Sequence, residues 1–211
     1  MRKFRHKNIV GAPLAGARLF FITGLALLLN SCGPVKFSPQ YSYSINDMQP
    51  AKTTAYRQSG STILVSQMAA NPGYDSSSMI YMMTPYQLNS YSESQWVAPP
   101  AQMLTGVIAS ALRRSNSFAA VVTPPFVGLT SYRLDTQLMK LQQEFLLPNS
   151  QEHLTVLATL IDNSSNRVLA TKQFDIIVPT QENNPYGGVL AANKAAAQLS
   201  AQVTAFVTRR I

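Results

Sequence analysis

The sequence predicts an α+β fold: a single domain with one mainly antiparallel sheet and two main helices packed on one face. Three observations carry this. Strand-like segments come in runs, in the order strands, helix, strands, helix, with no regular βαβ alternation. Two stretches, one after Pro99 and Pro100 and one from about 189 to 208, carry apolar residues at spacings of three and four. Two apolar runs, "HLTVLATLI" and "RVLATKQFDIIV", flank the turn-forming "DNSSN", the pattern of an antiparallel hairpin.

Taken in order, "YSYSI" (41–45) alternates aromatic and small residues and forms a first strand, and residues 46–60 have the polar composition of a loop. "STILVSQM" is β-branched and suits a buried strand; "ANPGYDSSS" breaks it, and "MIYMM" resumes as another strand. "YQLNSYSESQW" is aromatic-rich and reads as an edge strand. In the first helix Met103, Val107 and Ala111 form one line and Leu104, Ile108 and Leu112 the next, while Arg113 and Arg114 fall in the last turn, where the helix dipole favours positive charge. "FAAVV" ends at Pro124 and Pro125, which cannot continue a ladder. In "YRLDTQLMKLQQEFL" Leu134 and Leu138 share one face while Met139, Leu141 and Phe145 fall on the other, so a bulge is expected near Leu138. "HLTVLATLI" is apolar on both faces and should be central. The last helix turns Ala192, Ala196, Leu199, Val203 and Phe206 inward, and its alanines imply close approach to a flat partner such as a sheet.

The chain has 211 residues, 46% hydrophobic and 12% charged, enough for one domain with a sizeable core. Its formal charge of +8 is localised. Arg2, Lys3, Arg5, Lys7 and Arg18 precede Cys32, where no acid occurs, and removing those five leaves 12 basic against 9 acidic residues. No later cluster interleaves Lys or Arg with aromatics, so a nucleic-acid partner is not expected.

Residues 1–31 have the layout of a lipoprotein signal peptide: a basic start, the apolar "LFFITGLALLL", then small residues. That apolar run is too short for a permanent span, which needs roughly twenty residues. "LNSC" (29–32) is similar to the bacterial lipobox, with Leu29 three positions before the cysteine and Ser31 directly before it. Cleavage is therefore expected between Ser31 and Cys32, with N-acyl diacylglycerol carried covalently on Cys32. Two or three acyl chains, at roughly 0.8 kcal/mol per buried methylene, make such an anchor effectively permanent. Gly33 in place of Asp favours an outer-membrane destination, facing the periplasm. Residues 32–40 then form a lipidated tether, and 41–211 the folded domain.

Reactive constellations are sparse in the mature part. With His153 as its one imidazole and no second cysteine, a His/Cys zinc site is not expected, and no other metal or non-covalent cofactor is implied. "DNSSN" lacks the acids and glycine of a calcium loop. Neither a G-x-S-x-G elbow nor a P-loop occurs, so no catalytic residue is assigned. His153 could act as a general base oriented by Asp135 or Glu152, and "PYGG" could present a helix N-terminus to phosphate; a paired strand histidine and a tight turn are the plainer readings. The Met-rich "SSMIYMMTP" could be a soft apolar surface or ordinary core.

The stretches "YSYSI", "ILVSQMAANPGYDSSSMIYM", "YQLNSYSESQWVAPPAQMLTGVIASAL", "FAAVV", "LDTQLMKLQQEF", "LTVLATLIDNSSNRVLATKQF" and "NPYGGVLAANKA", in this order behind a lipobox, resemble the ABC-type transport auxiliary lipoproteins, a family that includes the paraquat-inducible lipoprotein. The resemblance implies a non-enzymatic outer-membrane lipoprotein. It would work with an ABC permease, its ATPase and an MCE-domain protein in moving phospholipids or other hydrophobic molecules, as anchor and adaptor for the MCE component. A homo-oligomer would suit a ring-shaped MCE partner. The aromatics Tyr81, Tyr86, Tyr91 and Trp96 are the candidate docking residues. The alternative is an envelope lipoprotein that scaffolds or activates a cell-wall enzyme.

Overall fold

The computed structural model describes residues 40–46 and 60–211, which belong to one compact unit. Expectations that fall on Ser31, Cys32 and the signal and tether before residue 40 lie outside the described residues. The elements are β1 (Tyr41–Tyr43), β2 (Thr62–Val65), β3 (Ala69–Ala70), β4 (Ser78–Thr84), β5 (Gln87–Trp96), α1 (Pro100–Arg114), β6 (Ala120–Val122), β7 (Tyr132–Glu144), β8 (Gln151–Asp162), β9 (Arg167–Pro179) and α2 (Pro185–Thr208). This is the predicted α+β architecture.

β7 organises the sheet. One edge pairs antiparallel with β8 from Tyr132↔Asp162 to Glu144↔Gln151. Its other edge is tiled by three short parallel strands in succession: β2 at Tyr132 to Leu134, β3 at Gln137 and Leu138, β4 at Gln143 and Glu144. β9 adds antiparallel to β8, β6 parallel to β2, β5 antiparallel to β4, and β1 parallel to β5. The long ladders are antiparallel as expected, while the short parallel ones make the sheet mixed. β5, read as an edge strand, lies between β1 and β4. β8 is central along its whole length.

The expected bulge is present. Leu138 pairs with Val156 and Lys140 with Thr155, leaving Met139 without a partner across the ladder. The extra residue resets the pleat, so Leu141 joins Leu134 and Leu138 on the face that packs under the helices. Leu154, Val156, Ala158 and Leu160 of β8 and Phe174, Ile176 and Val178 of β9 complete that face, all buried. Above it lie Leu104, Val107, Ile108 and Leu112 of α1 and Ala192, Ala195, Ala196, Leu199 and Val203 of α2. Phe206 of α2 meets Phe174 edge-on at 5.8 Å, with Arg210 over the former ring and Lys172 over the latter.

α2 begins at Pro185, earlier than its apolar spacing suggests, because Asn184 caps it. The Asn184 side chain accepts from Gly187 N–H at 2.8 Å, and Pro185 fits the first turn, where no N–H is needed. The chain leaving β1 is stitched to this helix: Asn46 N–H donates to Asn193 Oδ1 at 2.9 Å, and Asn193 Nδ2 returns to the Ser44 carbonyl at 3.2 Å.

Replacing Leu138, fully buried at the bulge, with alanine should cost about 2–5 kcal/mol. Replacing the exposed Leu147 should move stability by less than about 0.5 kcal/mol. Urea titration of the folded domain checks both.

Candidate functional site

Two polar clusters lie on opposite faces of the sheet at the β7 C-terminal end. They arise from one run, "QQE". Gln143, opposite Glu152, points under the helices, whereas Gln142 and Glu144 point to the face away from α1 and α2.

Under the helices, Tyr91 Oη donates to Gln143 Oε1 at 2.9 Å, while Gln143 Nε2 donates to Ser150 Oγ at 2.9 Å and to the Asn184 carbonyl at 3.2 Å. Ser150 and Thr180 hydroxyls meet at 2.6 Å. The glycines of "PYGG" make this possible. A Cβ on Gly188 would stand 2.5 Å from Gln143 Oε1 and 3.6 Å from Glu152 Oε2, and one on Gly187 would strike the Glu182 carbonyl. The helix N-terminus thus closes on the protein's own Gln143 and Glu182, and the space a phosphate would take is filled. Burial, with the neighbouring Glu144 charge, raises the Glu152 carboxyl well above its ordinary range. Burial, with the Glu152 and Tyr81 charges, raises the Tyr91 phenol.

On the face away from α1 and α2 His153 lies between two carboxylates: Nδ1 is 3.0 Å from Glu144 Oε1 and Nε2 is 2.9 Å from Asp175 Oδ1. Gln142 and Gln151 donate to Glu144 at 2.8 and 3.2 Å, and Thr155 Oγ1 donates to Asp175 at 2.6 Å. Tyr74 Oη donates to Gln142 Oε1, and Lys140 Nζ stands 3.8 Å from Glu144 Oε1. Burial opposes ionisation of Glu144, but donation from Gln142, Gln151 and His153 outweighs it and holds the carboxyl below its ordinary range. The Thr155 hydrogen bond, then His153, does the same for Asp175. Neither Asp135 nor Glu152, the acids expected to orient His153, touches its ring. Asp135 receives Arg133 at 3.1 Å and Ser66 Oγ at 2.6 Å, and Glu152 belongs to the opposite face. Glu144 and Asp175 sit on opposite ring nitrogens and do not converge, and among the described residues no group of three His, Cys, Asp or Glu side chains is placed to hold a metal.

The four aromatics proposed for docking part company. Trp96 is 3% exposed and belongs to the core, so it cannot be a contact surface for a partner. Tyr81 and Tyr91 are half-buried and stacked at 4.5 Å, with Phe145 edge-on to Tyr81 at 6.2 Å. Tyr86 stands fully exposed in the β4–β5 turn. A hollow of about 370 Å³ opens beside this hairpin. Four residues, Tyr91 to Ser94, separate the partners of Ile80 and Ser78, where β4 has only Met79; they bow outward and line the hollow with Tyr41, Tyr43 and Tyr186. Sequence reasoning missed it, since its residues come from β1, β5 and α2 and share no spacing.

Residues 43–204 match the ABC-type transport auxiliary lipoprotein component family, and the chain belongs to it. No curated protein matches the sequence. Among solved structures, a Xanthomonas campestris protein of the DUF330 family is similar at 21% identity, covering 82% of this chain and 93% of its own, with a TM-score of 0.69. A further uncharacterized protein is 13% identical, covering 81% and 99%, with a TM-score of 0.65. A hypothetical protein from Chlamydia trachomatis is 8% identical, covering 72% and 98%, with a TM-score of 0.50. These likenesses show the fold.

The clusters respond oppositely to pH. Glu152 binds its proton more tightly folded than unfolded, so its contribution is greatest below the ordinary value of 4.5 and is lost as pH rises through the raised one. Glu152→Gln should therefore unfold at higher urea than the parent at pH 8, the gap closing toward pH 4.5. Glu144 and Asp175 contribute above their ordinary values and lose that contribution on acidification. His153→Ala, which leaves both carboxylates without their shared partner, should cost about 1–3 kcal/mol at neutral pH in the same assay.

Proposed function

We propose that the chain is a non-enzymatic outer-membrane lipoprotein facing the periplasm. It serves as anchor and adaptor for an MCE-domain protein in an ABC-type system that moves phospholipids or other hydrophobic molecules across the envelope. The observation that carries this reading is the family match over residues 43–204, directly behind a lipobox cysteine at position 32. Two features of the body support it. The chain that follows the tether is fastened twice, by the β1–β5 ladder and by Asn193, so that load on the anchor passes into both sheet and helix layer. Both nitrogens of His153 face carboxylates, which leaves no ring lone pair directed at a substrate proton. The covalent group on Cys32 is the N-acyl diacylglycerol of a processed lipoprotein. A ring of several copies would match a ring-shaped MCE partner.

Crosslinking and capture of the tagged full-length protein from native envelopes should recover an MCE-domain protein with its permease and ATPase. Recovery of a cell-wall synthase in their place would favour the scaffolding alternative. Cys32→Ser should leave the outer-membrane fraction and lose the acyl mass seen in the parent by intact-mass analysis.

A further inference from the structure

We propose that the end of the body carrying the β4–β5 turn and the β7–β8 loop seats directly on the lipid leaflet that holds the anchor. The inference rests on acylation of Cys32 and goes beyond the adaptor reading by fixing which end meets the membrane. β1 runs parallel to β5 and therefore opposite to β4 and β7, so the chain preceding Tyr41 arrives from the end where β7 finishes at Glu144. Residues 33–40 can span at most about 29 Å fully extended. That brings the near end to a leaflet with slack. Tyr41 pairs with Ser94 and so lies level with Met79 and Leu141; from there the near end of β4 is about five strand residues, roughly 17 Å, away, whereas the start of β7 lies about eight paired steps, roughly 26 Å, the other way and is reached only with the tether almost fully stretched.

The near end has the surface such a seat needs. Met83 is 63% exposed, Tyr86 fully, Leu146 44% and Leu147 59%, and the Phe145 N–H bond to the Met82 carbonyl holds the two connections side by side. The connections at this end, residues 84–86, 145–150 and 180–184, contain no Lys or Arg, and Glu182 is their one charge. Contact would then come from apolar insertion with a tyrosine at headgroup depth, not from attraction to anionic lipid. Tyr86 also has φ +69°, a turn position that glycine or asparagine fills with less strain. A strained, fully exposed tyrosine is what a contact residue would look like, and folding alone does not call for it. The opposite end has its own exposed apolar loop, Val127 and Leu129 of residues 123–131, and so supplies the competing orientation.

The test uses full-length acylated protein in zwitterionic phosphatidylcholine nanodiscs, with Tyr86→Cys, Leu147→Cys and Val127→Cys each labelled with an environment-sensitive fluorophore; acylated Cys32 offers no thiol. Lipid bearing a shallow doxyl spin label should quench the labels at 86 and 147 by about twofold and spare that at 127, with the same result when anionic lipid is added. Quenching at 127 alone, or at none of the three, on protein whose intact mass shows the acyl groups would overturn the seat while leaving the adaptor reading standing. Unmodified Cys32 in that mass spectrum would remove both.

Discussion

The structure depends on one strand having two different neighbours along its edges. β7 gives its full length to β8 on one side and divides the other among β2, β3 and β4. Short strands of two to seven residues bury little by themselves; each becomes stable by completing the hydrogen bonds of the thirteen-residue β7, which β8 already fixes along its other edge. The fold is therefore rigid through β7, β8 and β9.

The unpaired Met139 determines which side chains those loops meet. A strictly alternating β7 would put Leu141 on the face opposite Leu138 and exchange the places of Gln142 and Gln143. With the bulge, aliphatic residues stay under the helices, Gln143 reaches the N-terminus of α2, and Gln142 and Glu144 join His153 outside. One extra residue thus separates Glu152, a buried carboxyl whose ionisation burial opposes, from Glu144 and Asp175, whose ionised forms are held by hydrogen bonds. The polar residues of this end are used in holding the protein together, and their partners are one another.

That economy suits an accessory component of a transport system. Residues 41–45 are firmly held, by a ladder to β5 and by the buried Ile45. Exposed apolar side chains gather at the two ends of the sheet, Met83, Tyr86, Leu146 and Leu147 at one and Val127 and Leu129 at the other, and others are spread over β5, β9 and α2.

The sequence alone determined the order of the longer elements, though not the two-residue β3, together with the inward stripes of both helices, the β8–β9 hairpin and the bulge, because each is written in the spacing of neighbours a few residues apart. It also determined the family, through the succession of stretches from residue 41 onward. Tertiary structure decided what spacing cannot encode: that β2, β3 and β4 run parallel along one edge of β7, that Trp96 is core while Tyr86 is surface, and that His153 faces Glu144 and Asp175 in place of Asp135 and Glu152. Those outcomes follow from contacts between residues far apart in the chain, where the pleat and one bulge choose the face, and no local pattern distinguishes a buried aromatic from an exposed one.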